Sequence, residues 1–357
     1  MLHTVLVINP GSTSTKVGIF EGRNELFTEN VTHTAQEIAV FPTIASQYEF
    51  REKHIRTALE KRGFDLKKLS CVVGRGGLLK PIPSGVYSVS KEMKDELLVA
   101  RFGEHASNLG GLIASAIAQE IGVPAYIVDP VVVDELDDVA RIYGHKLFRK
   151  CSIFHALNQK AVARRWAAEN DRKYEDVTLI VAHMGGGVSV GLHKKGRVVD
   201  VNNALNGEGP FSPERAGTLP AGALTKLCFS GQYSEKEILK MITGQGGMVS
   251  LVDTNDMRVL EARHLSGKDP DATLVYTAFI YNIGKAIGAL AAAAEGKVDG
   301  IVLTGGIAFG KQIQAGITAM CGWIAPVAIY PGEGELEALA QAGIAAVSGE
   351  ITAQEYK

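Results

Sequence analysis

The sequence predicts an α/β fold with two similar halves, and two observations lead to this prediction. Short apolar segments typical of strands alternate with longer segments of helical spacing, which is the pattern of the α/β class. In addition, a strand, a turn and a second strand occur at 5–20 and again at 178–193. Because 357 residues usually form two domains, we expect a duplicated α/β unit.

The first hairpin has a turn that is rich in hydrogen-bond donors. The apolar strand 5–8 ends at Asn9, and a Pro-Gly turn then leads to Ser12, Ser14 and Lys16. Hydroxyl and backbone N–H groups that converge on one concave turn are suited to binding phosphate. An ordinary hairpin with a polar turn is the alternative, and this segment alone does not decide between the two.

The second hairpin repeats the design with glycine in place of hydroxyl groups. Its first strand ends at His183, and a third apolar segment, 300–304, also runs directly into a glycine turn. The turn glycines are Gly185, Gly186, Gly187, Gly305 and Gly306. Three turns of this kind after buried strands strengthen the prediction of phosphate loops.

Longer patterns place the remaining elements. Helical spacing predicts one long helix over 36–62, and the Gly- and Pro-rich segment 202–222 predicts a long functional loop. The apolar segment 274–294 contains Lys285 near its middle, so we expect a core helix rather than a membrane span. The polar connection 134–149 is the best candidate for a domain crossover.

The composition favours a cytoplasmic protein that binds small molecules. The formal net charge is −2 without long runs of one sign, which argues against nucleic acid or a membrane surface as partner. The four cysteines have neither zinc-site nor disulfide spacing, and we expect free thiols in a reducing compartment. The first residues lack a charged stretch followed by an apolar one, so we expect no signal peptide.

Four further polar residues are candidates for a site. Arg75 stands between glycines, which permit a close approach, and arginine suits planar oxyanions; a solvated turn cation is the alternative. Asp129 follows a strand and either binds a ligand or caps a helix. His155 at a helix start is a site residue or a core histidine, and Arg215 is a site residue or the partner of Glu214.

Together these motifs resemble those of the acetate/butyrate kinase family, whose superfamily also contains sugar kinases, actin and the Hsp70 ATPase domain. The resemblance covers nearly the whole chain, in order and in approximate spacing. Gly186 stands where acetate kinases carry Asn, and the turn at Arg75 lacks their additional His, so the chain is closer to the butyrate branch. The matching segments are Asn9-Pro-Gly-Ser-Thr-Ser-Thr-Lys16, Gly74-Arg-Gly-Gly77, His105-Ala-Ser-Asn108, Ile127-Val-Asp129, Phe154-His155, His183-Met-Gly-Gly-Gly187, Arg215-Ala-Gly217, Thr304-Gly-Gly-Ile307 and Glu335-Leu336.

The resemblance implies an architecture. It implies two actin-like ATPase domains of the ribonuclease H-like type that flank a central nucleotide cleft. The first would span 1–150 and be completed by the C-terminal helix within 335–357. The second would span 151–334, bind adenosine and take part in dimerisation, so we expect a homodimer or a higher homo-oligomer.

The resemblance also implies an activity, the reversible transfer of a phosphoryl group between ATP and a short-chain carboxylate with Mg²⁺. A carboxylate nucleophile is already ionised near neutral pH, so the site needs positioning groups and cations rather than a base. Butyrate or a branched C4–C5 acid is the expected substrate, and acetate or propionate is the alternative. A sugar or polyol kinase with Asp129 as its base, and a nucleotide-driven binding module, are the other classes.

Each candidate residue receives a role from this resemblance. Arg75, His155, Arg215 and Asp129 would be catalytic, and Asp129 and Glu335 would position Mg²⁺. The nucleotide would be bound by Asn9, Ser12, Ser14, Lys16, His183, Gly185, Gly186, Gly187, Gly305 and Gly306.

Overall fold

A computed structural model describes residues 2–357, and the contacts among them divide the chain into two units. The first unit is Met1–Val133 together with Gly334–Lys357, and the second is Asp134–Glu333. The C-terminal segment therefore belongs to the same unit as the N-terminal hairpin.

The first unit contains a six-stranded sheet. Its strands are β1 Thr4–Pro10, β2 Ser14–Glu21, β3 Asn24–Thr32, β4 Cys71–Arg75, β5 Val86–Ser88 and β6 Ala125–Val128. The strand order is β3-β2-β1-β4-β6-β5. Strands β1, β2 and β3 form an antiparallel meander, β1 pairs in parallel with β4, and β4 pairs in parallel with β6. All seven residues of β1 are buried, which agrees with its apolar sequence.

The described part of the first unit contains five α-helices: α1 Ala35–Ala39, α2 Tyr48–Lys61, α3 Lys91–Leu98, α4 Asn108–Ile121 and, in the C-terminal segment, the helix Glu335–Val347. The single helix expected over 36–62 is wrong, because the chain forms α1 and α2 with a break between them. Pro42 lies in this break; it lacks an N–H and disfavours helical geometry in the residue before it.

The second unit contains a five-stranded sheet. Its strands are β7 Thr178–Met184, β8 Val188–Lys194, β9 Arg197–Val201, β10 Gly300–Gly305 and β11 Val327–Pro331. The strand order is β11-β10-β7-β8-β9. An antiparallel meander of β7, β8 and β9 is again followed by two strands in parallel pairing, β10 and β11. Both units thus start from the same arrangement of strands, and the predicted α/β class is confirmed.

Seven helices belong to the second unit: α5 Ala156–Glu169, α6 Ala221–Cys228, α7 Glu235–Ile242, α8 Met248–Val252, α9 Met257–Leu265, α10 Pro270–Ala293 and α11 Lys311–Cys321. The C-terminal helix Glu335–Val347 of the first unit is accordingly α12. Between β9 and α6 the chain forms turns without a helix, as the composition of 202–222 predicted.

Helix α10 has one buried face and one exposed face. Phe279, Ile283 and Ile287 are fully buried in the core of the second unit, whereas Leu274 and Tyr281 are 68% and 55% exposed. Within residues 2–357 it is the one helix whose length and composition would allow it to cross a membrane. The expected core helix is confirmed, in that one face of α10 packs into the core of the second unit.

Candidate functional site

The guanidinium group of Arg51 forms hydrogen bonds to the backbone of the turn between β1 and β2. Arg51 lies on α2 and is 0% exposed. Its Nη1 donates to the carbonyl oxygens of Gly11 (2.7 Å) and Ser14 (3.2 Å), and its Nη2 donates to that of Ser12 (2.8 Å). The carbonyl groups therefore point toward the arginine. Ser12 is exposed and Ser14 half-buried, so the predicted hydroxyl-rich turn stands at the surface of its unit.

Asn9, Arg75 and Glu335 form one hydrogen-bonded cluster at the ends of β1, β4 and the start of α12. Arg75 Nη1 donates to Asn9 Oδ1 (3.2 Å) and to Glu335 Oε2 (3.1 Å). Asn9 Nδ2 also donates to Glu335 Oε2, at 2.6 Å. Arg75 is therefore not a solvated turn cation, which was the alternative. The cluster joins three residues that the sequence singled out in three separate segments.

Close packing of β4 on α4 explains the glycines around Arg75. A Cβ atom on Gly74 would lie 2.2 Å from the carbonyl oxygen of Gly110, so only glycine fits where the two backbones touch. Asn108 at the start of α4 accepts a hydrogen bond from the backbone N–H of Leu78 at 2.8 Å. The arginine turn is thus fixed by the helix behind it.

Asp129 directly follows β6 and has a strained backbone conformation. Its φ is +37°, a region that residues other than glycine adopt rarely. Its Oδ1 accepts hydrogen bonds from Ser84 Oγ (2.6 Å) and from the backbone N–H of Gly85 (2.8 Å). No helix begins after it, so the alternative of a helix cap is wrong. Strain of this kind is typical of functional positions.

His155 and His183 are stacked in the second unit. Their ring centroids lie 3.8 Å apart with an angle of 10° between the planes. His155 Nδ1 is 2.8 Å from Ser189 Oγ, and His183 Nδ1 is 2.6 Å from Asn158 Oδ1. Because Asn158 Nδ2 donates to the carbonyl of Glu333, its Oδ1 accepts, and His183 carries a proton on Nδ1. The structure brings these two predicted residues together.

Arg215 packs against the glycine turn between β7 and β8. A Cβ atom on Gly187 would lie 2.1 Å from Arg215 Nη1, so the glycine makes room for the guanidinium. Nη1 donates to the carbonyl of Ala204 at 2.6 Å. Arg215 does not pair with Glu214, whose Oε1 instead accepts from Asn255 at 2.8 Å. Burial lowers the pKa of Arg215 from its ordinary value.

The other turn glycines differ in their surroundings. Gly305 has a φ of +87°, and a Cβ there would lie 2.3 Å from the carbonyl oxygen of Met184, so β10 ends close against β7. By contrast, Cβ atoms on Gly186 and Gly306 would meet nothing within 4 Å. The backbone at these two positions is therefore approachable by a ligand.

The two predicted Mg²⁺ ligands do not share a partner. Asp129 bonds to Ser84 and Gly85, whereas Glu335 bonds to Asn9 and Arg75. No group of three or more His, Cys, Asp or Glu side chains suited to a metal ion occurs within residues 2–357. Magnesium usually needs only one or two protein carboxylates, with phosphate and water as its other ligands. The residues therefore fit a phosphate-bound Mg²⁺, and their role stays a prediction.

Several residues that organise the site were not singled out from the sequence. Arg51 was missed, although it stands four residues before Ile55 and eight before Leu59, on the buried face of its helix. Ser189 and Gln159 were also missed, and both are 0% exposed. For Arg51 and Gln159 the signal was a polar residue within an apolar helical stripe, whereas Ser189 shares its strand face with Gly191 and His193.

The sequence is similar to those of proteins from one family. Residues 139–316 match the model of the acetokinase family. The chain is 52% identical over 357 residues to a "Probable butyrate kinase" of Clostridium botulinum (strain Eklund 17B / Type B), with 100% of both chains covered. It is also 52% identical to "Butyrate kinase 2" of Clostridium acetobutylicum, again over 100% of both chains.

Solved structures agree in fold. The acetate kinase of Porphyromonas gingivalis superposes with a TM-score of 0.77 over 97% of this chain and 100% of its own, at 19% identity. A propionate kinase from Francisella tularensis gives a TM-score of 0.74 over 95% and 98% of the two chains, at 17% identity. The fold is thus that of the acetate and propionate kinases, as the motifs predicted. With 52% identity to relatives over its full length, the chain belongs to the acetokinase family.

Proposed function

We propose that the chain transfers a phosphoryl group reversibly between ATP and a short-chain carboxylate, giving acyl phosphate and ADP. Butyrate or a branched C4–C5 acid is the proposed carboxylate. The observation that carries the proposal is the 52% identity, over all 357 residues, to relatives named butyrate kinase. Members of this family act on small molecules, which agrees with the cluster of polar side chains in each unit.

The two candidate arginines support an anionic substrate. Arg75 and Arg215 are each anchored to the protein through Nη1. Their Nε and Nη2 groups donate to no protein atom within residues 2–357. Nε and Nη2 form the edge of a guanidinium that binds a planar oxyanion in a bidentate fashion. We assign these edges to carboxylate and phosphoryl oxygens.

Arg51 provides the contrast that makes this assignment specific. All three of its guanidinium nitrogens donate to protein oxygens, including Gln47 Oε1 at 3.0 Å from Nε and 2.8 Å from Nη2. An arginine with every nitrogen engaged supports structure, whereas one with an unengaged edge can bind substrate. Arg75 and Arg215 are of the second kind.

The chemistry requires positioned donors and no general base. The carboxylate attacks in its ionised form, the bond from the γ-phosphorus to the bridging oxygen breaks, and ADP leaves. His155 donates to an oxygen of the transferring group as charge shifts in the transition state. Asp129 accepts from Ser84 and Gly85 through Oδ1, and we assign it to water or Mg²⁺ rather than to deprotonation of a sugar hydroxyl.

The nucleotide is assigned to the turns. Ser12, Ser14 and Lys16 would contact phosphate at the first hairpin, with Asn9 beside them, and His183 with Gly185, Gly186 and Gly187 at the second. Gly305 and Gly306 would border the adenosine. The open backbone at Gly186 and Gly306 supports this assignment. Mg²⁺ bound to the phosphates would neutralise developing charge, with Asp129 and Glu335 as its protein ligands.

Trapping the acyl phosphate tests the proposal directly. Purified protein with Mg²⁺-ATP, hydroxylamine and a carboxylate is expected to form the acyl hydroxamate, with butyrate, isobutyrate or isovalerate above acetate and propionate. One methylene is worth about 1–3 kcal/mol of discrimination, so a graded profile is expected. No hydroxamate from any of these acids, together with phosphorylation of a sugar or of glycerol, would contradict the proposal. The predicted homo-oligomer is tested separately by light scattering, and cytoplasmic location stays a prediction.

A further inference from the structure

A chain of buried polar groups runs from His155 into the core of the second unit. His155 Nδ1 lies 2.8 Å from Ser189 Oγ, and Gln159 Nε2 donates to the same oxygen at 2.7 Å. Gln159 Oε1 lies 3.0 Å from His193 Nε2, and His193 Nδ1 lies 2.8 Å from the Tyr174 hydroxyl. Ser189, Gln159 and His193 are each 0% exposed.

The periodicities of a strand and of a helix place these polar groups next to one another. Ser189, Gly191 and His193 alternate along β8 and therefore share one face of the sheet. His155 and Gln159 are separated by one helical turn at the start of α5. A Cβ on Gly191 would lie 2.5 Å from Gln159 Oε1, so the glycine between Ser189 and His193 leaves space for the amide.

The orientation of the Gln159 amide is fixed by a backbone carbonyl. Gln159 Nε2 donates to the carbonyl oxygen of Ser189 at 3.0 Å, and a carbonyl oxygen can only accept. Gln159 Oε1 must then face His193 and accept from its Nε2–H. His193 is neutral, since burial above all, with help from the charges of Lys160 and Arg164, lowers its pKa well below the ordinary value. Its Nδ1 accordingly accepts from the Tyr174 hydroxyl.

The groups that donate to Ser189 Oγ determine which atom can accept a hydrogen bond from its hydroxyl. Its oxygen accepts from Gln159 Nε2 and, at 3.4 Å, from the backbone N–H of His155. Both groups can only donate. His155 Nδ1 is therefore the neighbouring atom that can accept a hydrogen bond from the Ser189 hydroxyl. Accepting at Nδ1 leaves the proton of a neutral His155 on Nε2.

We propose that Ser189, Gln159 and His193 are positioning residues that hold His155 in its Nε2–H tautomer. His155 then presents an N–H donor, rather than a lone pair, to the transferring phosphoryl group. The tautomer itself follows from the hydrogen bonds, and its use in catalysis rests on the proposed function. The opposite tautomer would place a lone pair against phosphoryl oxygens and repel them.

Nitrogen NMR of the full chain tests the tautomer without relying on activity. Protein labelled with ¹⁵N-histidine, at about pH 8 where an ordinary histidine is neutral, is expected to show His155 protonated at Nε2 only. Among the nine histidines, the signal is assigned by its loss in His155→Gln. In Ser189→Ala, and in Gln159→Met, His155 is expected to become a mixture of tautomers. Ser189→Thr keeps the hydroxyl and is expected to restore the Nε2–H form.

Kinetics of the same variants test the role. Losing a partner that orients a histidine typically lowers activity about tenfold or more, so kcat of Ser189→Ala should fall about tenfold and recover in Ser189→Thr. KM for ATP and for the carboxylate should stay unchanged, because no substrate contact is removed. Ser115→Ala, at a buried serine of α4, is the matched control and should change neither readout.

Three results would overturn the proposal. They are an Nδ1–H tautomer in the unaltered protein, an unchanged tautomer in Ser189→Ala, and a changed tautomer with unchanged kcat. If the unaltered protein makes no acyl phosphate, the proposed function fails while the tautomer measurement still stands. The two failures are therefore distinguishable.

Discussion

The β1–β2 and β7–β8 hairpins match each other in strand order and turn position, but different groups hold their turns. In the first, the carbonyls of Gly11, Ser12 and Ser14 accept from the fully buried guanidinium of Arg51. In the second, the carbonyl of Gly186 accepts from the Ser212 hydroxyl at 2.8 Å. A charged group supports one turn and a neutral group the other.

The difference shows that a turn motif determines where a loop lies and not what holds it. Arg51 comes from a helix almost 40 residues after the first turn, and Ser212 comes from a loop 26 residues after Gly186. Arg51 has no carboxylate within ion-pair distance among residues 2–357. Its positive charge is stabilised by neutral oxygens, namely backbone carbonyls, the amide of Gln47 and the hydroxyl of Thr15, close to a turn that we assign to phosphate.

The largest expected effect concerns Arg75 and Arg215, the two arginines, one in each unit, that we assign to the substrate. Arg75→Ala and Arg215→Ala should each lower kcat by about 10²–10³, the usual loss for one donor that acts on developing charge. Lysine should restore little at either position, because an ammonium group cannot form the planar fork. The hydroxamate assay measures this, with Arg56→Ala on the surface of α2 as control. Near-normal turnover in either variant would remove that arginine from the site.

The next effect distinguishes the two supports of the turns. Arg51→Met leaves the carbonyls of Gly11 and Ser12 and the amide of Gln47 without their donor, and should lower unfolding free energy by about 3 kcal/mol. Ser212→Ala removes a neutral hydroxyl that donates to Gly186 and accepts from the backbone N–H of Arg215, and should cost about 1–2 kcal/mol. Urea unfolding measures both. Equal losses would show that the charge of Arg51 is unimportant for the turn.

Arg75→Ala and Arg215→Ala should both lower turnover, but they should differ in their effect on unfolding stability. Arg75→Ala leaves Glu335, which is 5% exposed, without its cation at 3.1 Å, and should destabilise the protein by about 2 kcal/mol. Arg215 has no carboxylate in ion-pair contact within residues 2–357, and burial lowers its pKa. Arg215→Ala removes a buried charge that has no counter-ion but leaves the carbonyl of Ala204 without its donor, so it should destabilise the protein less than Arg75→Ala. A larger loss for Arg215 than for Arg75 in thermal unfolding would contradict this argument.

The sequence predicted the fold class and the candidate site residues that stand at the ends of strands, because both depend on local patterns. Apolar periodicity locates β1 and β7, and Asn9 and His183 follow from it. The partners of these residues depend on packing: Asn9 and Glu335 are hydrogen-bonded although 326 residues separate them. Family resemblance supplied Glu335. Arg51 and Gln159 belong to no motif, and although each is a polar residue in an apolar helical stripe, only the three-dimensional arrangement shows their partners.

The smallest expected effect compares two buried histidines, His33 in the first unit and His193 in the second. His193 has partners at both ring nitrogens, whereas Nδ1 of His33 is buried without a hydrogen-bond partner in residues 2–357. Burial, reinforced by the charges of Arg51 and His54, lowers the pKa of His33 to about 4. In the unfolded chain His33 titrates near its ordinary value of about 6.5.

Between these values the unfolded state binds a proton that the native state does not, so stability should fall as pH decreases from about 6.5 toward 4. His33→Gln cannot titrate and should lose this contribution, which at pH 5.5 is about 1 kcal/mol relative to pH 7.5. Unfolding free energies of the unaltered protein and of His33→Gln, each measured at about pH 5.5 and pH 7.5, isolate the contribution of His33, since His193 contributes equally to both proteins. The exposed His145→Gln is the control. A pH dependence that survives intact in His33→Gln would assign the acid sensitivity to other groups, with His193 the first to examine.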